Sequence, residues 1–180
     1  MELRDERWFE NLFDQQHAAV MAYVKRRTVA DAEDVLMDTF AAAWSAREHL
    51  PADPLPWLYR CAHHRILSRR RAELRYRHLK SKLHIFSQRS FESMPTYYEG
   101  EEEWLTILFS KLLESEAEVL RLIAWEDLSL SDIAFVLGCS NGAARTRLYR
   151  ARNHAAKILG ESGVALANTY LKTKTSEACS

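Results

Sequence analysis

The segment DIAFVLGCSNGAARTRLYRAR, residues 132–152, concentrates positive charge in a chain whose net charge is zero. Four of its last eight residues are arginines: Arg145, Arg147, Arg150 and Arg152. A guanidinium group is always charged and offers a planar fork of donors, which matches phosphate oxygens and guanine edges. Each neutralised phosphate also releases counterions. The chemistry that this pattern predicts is therefore binding to a nucleic acid, with no bond-making step.

An apolar segment and a glycine precede these arginines. The apolar side chains recur at helical spacing, at Leu130, Ile133, Ala134 and Leu137. Gly138 suits the position just after a helix, and Ser140 or Asn141 can cap the helix that follows. A short helix, a glycine turn and a helix that carries arginines are typical of a helix-turn-helix motif.

The ordinary alternative for the arginine-bearing segment is an amphipathic helix with a solvated basic face, since arginine is a good helix former. The turn and the apolar segment before it favour duplex DNA instead. The residues that we expect to contact the duplex are Ser140, Asn141, Ala143, Arg145, Thr146, Arg147 and Arg150.

A second basic block covers residues 60–89, which carry ten Arg or Lys and one acid, Glu73. The segment WLYRCAHHRILSRRRAELRYR, residues 57–77, interleaves aromatic and basic side chains. This pattern suits strand-separated nucleic acid, whose bases stack on aromatic rings. The alternative is a long exposed helix that places its apolar side chains, among them Leu58 and Ile66, in a core. The candidate contacts are Trp57, Arg60, His63, His64, Arg65, Arg69, Arg70 and Arg71.

The sequence predicts no metal site and no cofactor. His63 and His64 are adjacent, so on a helix they point to different faces, and no cysteine or carboxylate ligand pattern accompanies them. The three cysteines of the chain lie far apart and form no CxxC pair, which favours a reduced compartment. The amino terminus has no signal-peptide core, and no stretch reaches ~18 consecutive apolar residues. We therefore expect a cytoplasmic protein without membrane insertion.

Glycine and proline are scarce, at five and four residues, and helical periodicity is widespread. The predicted fold is all-α, with two small helical domains joined by a linker, the second containing the helix-turn-helix. An acidic block with eight Glu and one Lys, residues 92–118, lies between the two basic blocks. The predicted divisions are a first domain over residues 1–80, a linker over 81–103, a second domain over 104–160 and a weakly ordered tail over 161–180.

Three segments, in order, resemble parts of the extracytoplasmic-function sigma factors of the sigma-70 family. DAEDVLMDTFAAAW, residues 31–44, resembles the segment that binds the RNA polymerase clamp. PWLYRCAHHRILSRRR, residues 56–71, resembles the helix that reads and melts the minus-ten promoter element. Residues 115–152 resemble the domain that binds the minus-thirty-five element.

The resemblance implies a sigma factor that binds core RNA polymerase and directs promoter-specific initiation without covalent chemistry. It implies that the candidate contacts of residues 57–71 meet the minus-ten element and those of residues 140–150 the minus-thirty-five duplex. A cognate anti-sigma factor is a further implied partner. The contacts to the polymerase clamp would come from Asp34, Met37, Asp38 and Ala41.

The chain departs from the family pattern at several of these positions. Met37 stands where the family usually has Gln, and His64 and Ser68 stand where it usually has Asn and Asp. The recognition segment reads GAARTR, residues 142–147, where the family tends to Gly-Thr-Val-Lys-Ser-Arg. These departures bear on base preference more than on the implied function.

Three other interpretations compete with the sigma-factor one. A stand-alone helix-turn-helix regulator would leave residues 31–71 unexplained, and a polymerase pull-down would distinguish the two. An enzyme is disfavoured, because no Gly-rich phosphate loop, GxSxG or HExxH motif is present and the acids at residues 31–34 suit a helix start. A helical bundle that binds only proteins is disfavoured by the two basic blocks.

Overall fold

The computed structural model describes residues 4–28, 31–82 and 103–177, and throughout these ranges the regular secondary structure is helical. The predicted all-α class is confirmed. The chain divides into two compact units, Met1–Thr96 and Tyr97–Ser180. The predicted linker, residues 81–103, lies almost entirely outside the described residues.

Three helices and a 3₁₀ turn form the described part of the first unit. The order is α1 (Glu6–Lys25), α2 (Ala32–Ser45), the turn Arg47–His49 and α3 (Leu55–Lys82). Each helix packs against the other two. Their shared core includes Val20, Tyr23, Val24, Val35, Leu36, Phe40, Ala43, Leu58, Ala62 and Ile66. Because α2 and α3 lie side by side, the charged residues that border this core come within reach of each other.

Four helices form the described part of the second unit: α4 (Glu103–Lys111), α5 (Glu114–Ala124), α6 (Leu130–Leu137) and α7 (Asn141–Glu177). One part of its core joins α4, α5 and α7 through Leu105, Leu108, Phe109, Leu112, Ala117, Leu120, Ala151 and Ala155. The helix-turn-helix prediction matches α6 and the start of α7. After a break at Gly160, where φ is +66° and ψ is −174°, the chain resumes a helix that runs into the predicted tail.

A buried arginine on α5 supports this second unit. Arg121 has 1% of its surface exposed and lies 3.6 Å from Glu118 and 3.4 Å from Glu114, measured from Nη1 to the carboxylate oxygens. Its guanidinium group also lies 5.0 Å from the centre of the Phe109 ring. Glu118 is itself buried, so the two charges neutralise each other inside the unit. The sequence analysis did not identify this pair.

Within the described residues, no helix combines the length and the apolar character needed to cross a membrane.

Candidate nucleic-acid interface

The turn between α6 and α7 is built by its capping residues. Ser129 caps α6 by accepting a hydrogen bond from the Asp132 amide at 3.2 Å. At the other end Gly138 has φ +62° and ψ +40°, a left-handed conformation that glycine adopts without strain. The amide of the next residue, Cys139, donates to the Ala134 carbonyl at 2.9 Å. This closing geometry turns the chain sharply before α7 begins.

The sequence left two candidates for the cap of α7, and the structure distinguishes them. The Ser140 hydroxyl accepts a hydrogen bond from the Ala143 amide at 3.2 Å, while Asn141 is the first helical residue and is exposed. Thr146 donates its hydroxyl hydrogen to the Gly142 carbonyl at 2.9 Å. The first turn of α7 is therefore fixed by its own side chains, which orients the amides and side chains at its start.

Small residues fix the face that α7 turns inward. Ala144 and Ala151 are fully buried, and Leu148 is half-buried between them. Alanines at these positions allow a close approach of α7 to α5 and α6, against which it packs. On the exposed remainder of the helix lie Arg145, Thr146, Arg147, Tyr149, Arg150 and Arg152. The predicted duplex contacts therefore share the exposed surface of one helix, except that Ala143 is half-buried.

Tyr149 also belongs to this surface, although it was not among the expected duplex contacts. Its side chain is 68% exposed and lies between Arg147 and Arg150 in the chain. The signal that could have found it is helical spacing: positions 142, 146, 149 and 153 fall opposite the buried alanines.

A carboxylate at the start of α5 ties that helix to α7. Glu116 Oε2 lies 2.7 Å from the Nδ1 atom of His154 and accepts from the Leu113 amide at 3.2 Å. The hydrogen bond with His154 lowers the pKa of Glu116 below its ordinary value, against an opposing effect of burial. The pair joins α7 to the start of α5 on the side of α7 that carries Arg150, whose charge also lowers the pKa of Glu116.

The helix α3 divides its eight predicted nucleic-acid contacts between two faces. Its buried positions, Leu58, Ala62 and Ile66, define the inward side. Opposite them lies a row of residues at helical spacing, which we call the outer stripe of α3: Trp57, Arg60, His64, Arg71 and Arg75. Of these, His64, Arg71 and Arg75 are exposed and the other two are half-buried. Arg75 was missed, since the resemblance ended at residue 71, although its spacing of i+4 from Arg71 identifies it.

The other four predicted contacts on α3 are engaged with the protein itself. The Nδ1 atom of His63 lies 3.4 Å from the Tyr23 hydroxyl, and Arg70 donates to the Arg27 carbonyl at 2.9 Å. Arg65 and Arg69 are directed to the acids of α2.

These acids and arginines form a cluster along the seam between α2 and α3, which we call the α2–α3 charge cluster: Asp31, Asp34, Asp38, Arg65 and Arg69. Arg69 Nη2 donates to Asp38 Oδ2 at 3.2 Å, and its Nη1 lies 3.5 Å from Asp34 and 3.6 Å from Asp31. Arg65 lies 3.6 Å from the same oxygen of Asp38. Asp31 stands at the N-cap position of α2 but makes no side-chain capping bond, because its carboxylate is directed to Arg69.

Burial alone would lower the pKa of Arg69, but the hydrogen bond with Asp38 and the nearby carboxylates outweigh it and raise that pKa. Arg69 therefore stays charged, and its ion pairs hold as long as the three carboxylates are ionised.

The residues predicted to bind polymerase lie along the solvent-exposed side of α2. Asp34 and Asp38 have 75% and 50% of their side chains exposed, and the whole residue Met37 is 59% exposed. Together with the exposed Ala41 they follow the spacing i, i+3, i+4 and i+7, so they form one continuous strip. We call Asp34, Met37, Asp38 and Ala41 the outer strip of α2.

Comparison with known proteins matches both units. The family described as "Sigma-70 region 2" matches residues 12–76, and that described as "Sigma-70, region 4" matches residues 103–154. The RNA polymerase sigma factor YlaC of Bacillus subtilis is 30% identical over 162 residues, which cover 85% of this chain and 92% of that protein.

Two solved structures resemble the fold. One is the sigma factor RpoE in complex with the anti-sigma factor NepR from Bartonella quintana, with a TM-score of 0.64 and 22% identity, covering 87% of this chain and 98% of that one. The other is CnrH in complex with the cytosolic domain of CnrY, with a TM-score of 0.57 and 25% identity, covering 86% of this chain and 89% of that one.

Proposed function

This chain belongs to the sigma-70 family of RNA polymerase sigma factors, of the extracytoplasmic-function type, and on that basis we propose how its residues divide the work of initiation. As an alternative sigma factor it binds core RNA polymerase and directs transcription initiation. The residue-level proposal rests on three helices that each present a surface to solvent. These are the outer strip of α2, the outer stripe of α3 and the exposed arginines of α7.

The outer strip of α2 is the polymerase-docking surface. Asp34 and Asp38 supply negative charge for a basic partner, and Met37 supplies a flexible apolar side chain between them. By the family resemblance, the partner is the clamp coiled coil of the largest polymerase subunit.

The outer stripe of α3 captures the melted minus-ten strand. Trp57 offers a ring on which an unpaired base stacks, and the basic side chains of the stripe follow the phosphates. His64 stands where the family usually has Asn, so we expect a base preference at that position that differs from the common one. Binding the separated strand offsets base-pair opening, which costs ~1.4 kcal/mol per stacked step of DNA.

The exposed face of α7 holds the minus-thirty-five duplex. The start of a recognition helix reaches base edges in the major groove, which assigns base contacts to Asn141, Arg145 and Thr146. Arg147 and Arg150 reach bases or phosphates farther along the helix. Gly138 and Ser140 support this face by setting the angle between α6 and α7.

The same proposal covers the remaining partners and the setting. The chain does no covalent chemistry and holds no cofactor, since all three surfaces are binding surfaces. It acts in the cytoplasm, where core polymerase and promoter DNA are found. An anti-sigma factor is a fitting regulator, because the sigma factor RpoE of Bartonella quintana is bound by one. Residues 81–103 link the two units.

A stand-alone helix-turn-helix regulator is the competing assignment. It accounts for α6 and α7 and leaves α1, α2 and α3 without a function. The match of residues 12–76 to sigma-70 region 2 accounts for those three helices and favours the sigma factor.

In vitro transcription with purified core polymerase on a promoter library tests the proposal. We expect initiation from a subset of promoters that share two spaced elements, only when this chain is added. Binding to DNA without any gain in promoter-selective transcription would favour the competing regulator.

A further inference from the structure

Arg69 lies at the centre of the α2–α3 charge cluster, although its sequence neighbours lie on a DNA-binding helix. Its two terminal nitrogens reach three carboxylates within 3.6 Å, and all three contacts use the Oδ2 atoms of Asp31, Asp34 and Asp38. A phosphate would have to replace these three carboxylates in order to bind the same guanidinium group. Arg71, two residues farther along α3, is exposed on the opposite side of the helix.

The three acids of α2 need such a partner to keep a defined arrangement. They recur at i, i+3 and i+7, so they lie on one face of the helix, where like charges repel. Each aspartate also has several rotamers, and fixing them costs conformational entropy when a partner binds. A planar guanidinium group between the carboxylates removes part of both costs before docking.

We propose that Arg69 is a positioning residue for polymerase docking, which holds Asp34 and Asp38 in the arrangement that a basic polymerase surface binds, and that it does not contact promoter DNA. This inference rests on the proposed docking role of the outer strip of α2. Three acids against two arginines leave the cluster with a net negative charge, as a basic partner requires. Each carboxylate has two equivalent oxygens and several lone pairs, so Asp34 and Asp38 can accept from the partner while Arg69 holds them.

The contacts are solvent-exposed, with 35% of the Arg69 side chain accessible, so the fold depends on them little. This makes the inference testable, because a variant without the guanidinium group stays folded. Removing the charge of Arg69 also makes the α2–α3 charge cluster more negative, which favours the first encounter with a basic partner. The loss of positioning should therefore be seen in the dissociation rate, and the change of charge in the association rate.

The test compares Arg69→Ala with Arg71→Ala in the full chain, using labelled protein and purified core polymerase. For Arg69→Ala we expect dissociation from core to become about fivefold faster, with an unchanged or faster association. Arg69→Lys keeps the charge but loses the fork, so its association should match the wild type while its dissociation stays faster. Circular dichroism and thermal unfolding should remain unchanged in all three variants.

The second measurement is DNA binding at saturating core polymerase, with a promoter fragment that the transcription assay recovers and that carries a premelted minus-ten bubble. Arg69→Ala should bind this fragment within twofold of the wild type. Arg71→Ala should bind core normally and lose about three- to tenfold in bubble affinity, with a flatter salt dependence.

Three results would overturn the inference. Unchanged core binding with weakened bubble binding would make Arg69 a DNA contact, and tighter core binding with slower dissociation would mean that it masks the acids. If Arg69→Ala changes neither core binding nor bubble binding, Arg69 has neither role. The docking proposal itself fails separately, if Asp38→Arg binds core with wild-type affinity.

Discussion

The two arginine-rich helices, α3 and α7, present their positive charge in different ways. On α3, Arg69 meets the acids of α2 while Arg71 and Arg75 are exposed on the other side. On α7, all four arginines between residues 145 and 152 are exposed, because alanines occupy the buried positions. A basic helix is therefore available to bind nucleic acid only on the sides where no neighbouring helix supplies acids.

The second unit assigns the two roles of arginine to two helices. Arg121 on α5 is buried and supports the fold, whereas the arginines of α7 face solvent. In the first unit one helix does both, since α3 carries protein-facing and outward arginines within three residues of each other. Substitutions of the exposed arginines of α7 should therefore weaken DNA binding alone. Substitutions of arginines in α3 should affect polymerase binding or DNA binding, depending on the face of the helix.

The largest expected effect is the loss of the buried arginine. Arg121→Ala removes the positive charge that neutralises the buried Glu118, which should destabilise the second unit by ~3–5 kcal/mol. Hydrogen exchange of α5 and α7 should show this, together with weaker binding to minus-thirty-five duplex DNA. Arg152→Ala, on the exposed face of α7, is the control and should stay within ~0.5 kcal/mol of the wild type. Equal protection in both variants would contradict the supporting role of Arg121.

The next effect is a charge reversal on the outer strip of α2. Asp38→Arg places a third positive charge beside Arg65 and Arg69. The new arginine would also repel a basic partner, which should weaken binding by several kcal/mol. We expect loss of co-purification with core polymerase and of promoter-specific transcription, with helical circular dichroism unchanged. Asp14→Arg reverses another exposed acid, on α1, and should retain both activities. If the Asp38 variant binds core as the wild type does, the docking surface lies elsewhere.

The sequence predicted the elements well where local chemistry determines them. Gly138 ends α6 in a left-handed conformation as expected, and α7 begins at Asn141. The spacing of apolar residues predicted helices in both units, although the last helix continues past the predicted end of the second domain. Local signals of this kind act within one turn of the chain, so they do not depend on distant partners.

Contacts between distant segments were the part that sequence patterns left unresolved. Arg69 and Asp38 are 31 positions apart, and their ion pair depends on how α2 and α3 pack. Asp31, one of the acids that suited a helix start, makes no side-chain capping bond and lies 3.6 Å from Arg69 instead. A partial signal existed, because Arg65 and Arg69 flank Ile66 at i−1 and i+3, close to the inward face of α3. The sequence analysis made no prediction for Arg121, although its acids at i−3 and i−7 were a signal for an ion pair.

Replacing a single arginine on α7 should have a moderate effect on duplex binding. This prediction tests whether the exposed arginines of α7 contact DNA. Arg147→Ala should cost ~1–3 kcal/mol in duplex binding and relax preference at one base pair if it reads a base. If it contacts a phosphate, all sequences should weaken alike and the salt dependence should flatten. Lys157→Ala, exposed farther along the helix, is the control. Unchanged promoter affinity at several salt concentrations would remove Arg147 from the interface.

The smallest expected effect concerns the carboxylate that ties α5 to α7. The folded pKa of Glu116 is lowered, chiefly by its hydrogen bond with His154, so the ionised form stabilises the second unit. That stabilisation is fully present above the ordinary value of 4.5 and is lost as the pH falls through the lowered folded pKa. Glu116→Gln removes the charge, so its stability should lack this contribution at every pH.

Hydrogen exchange of α5 and α7, corrected for the intrinsic pH dependence of the amides, measures the difference. Near neutral pH the Gln variant should be less stable by up to ~1 kcal/mol, the usual net contribution of one hydrogen bond. The difference should shrink below pH 4.5 as Glu116 takes up its proton. Exchange in α1, α2 and α3 should be the same in both proteins, because this acid supports only the second unit. A difference that stays constant from neutral to acid pH would mean that the packing of the side chain, and not its charge, joins α5 to α7.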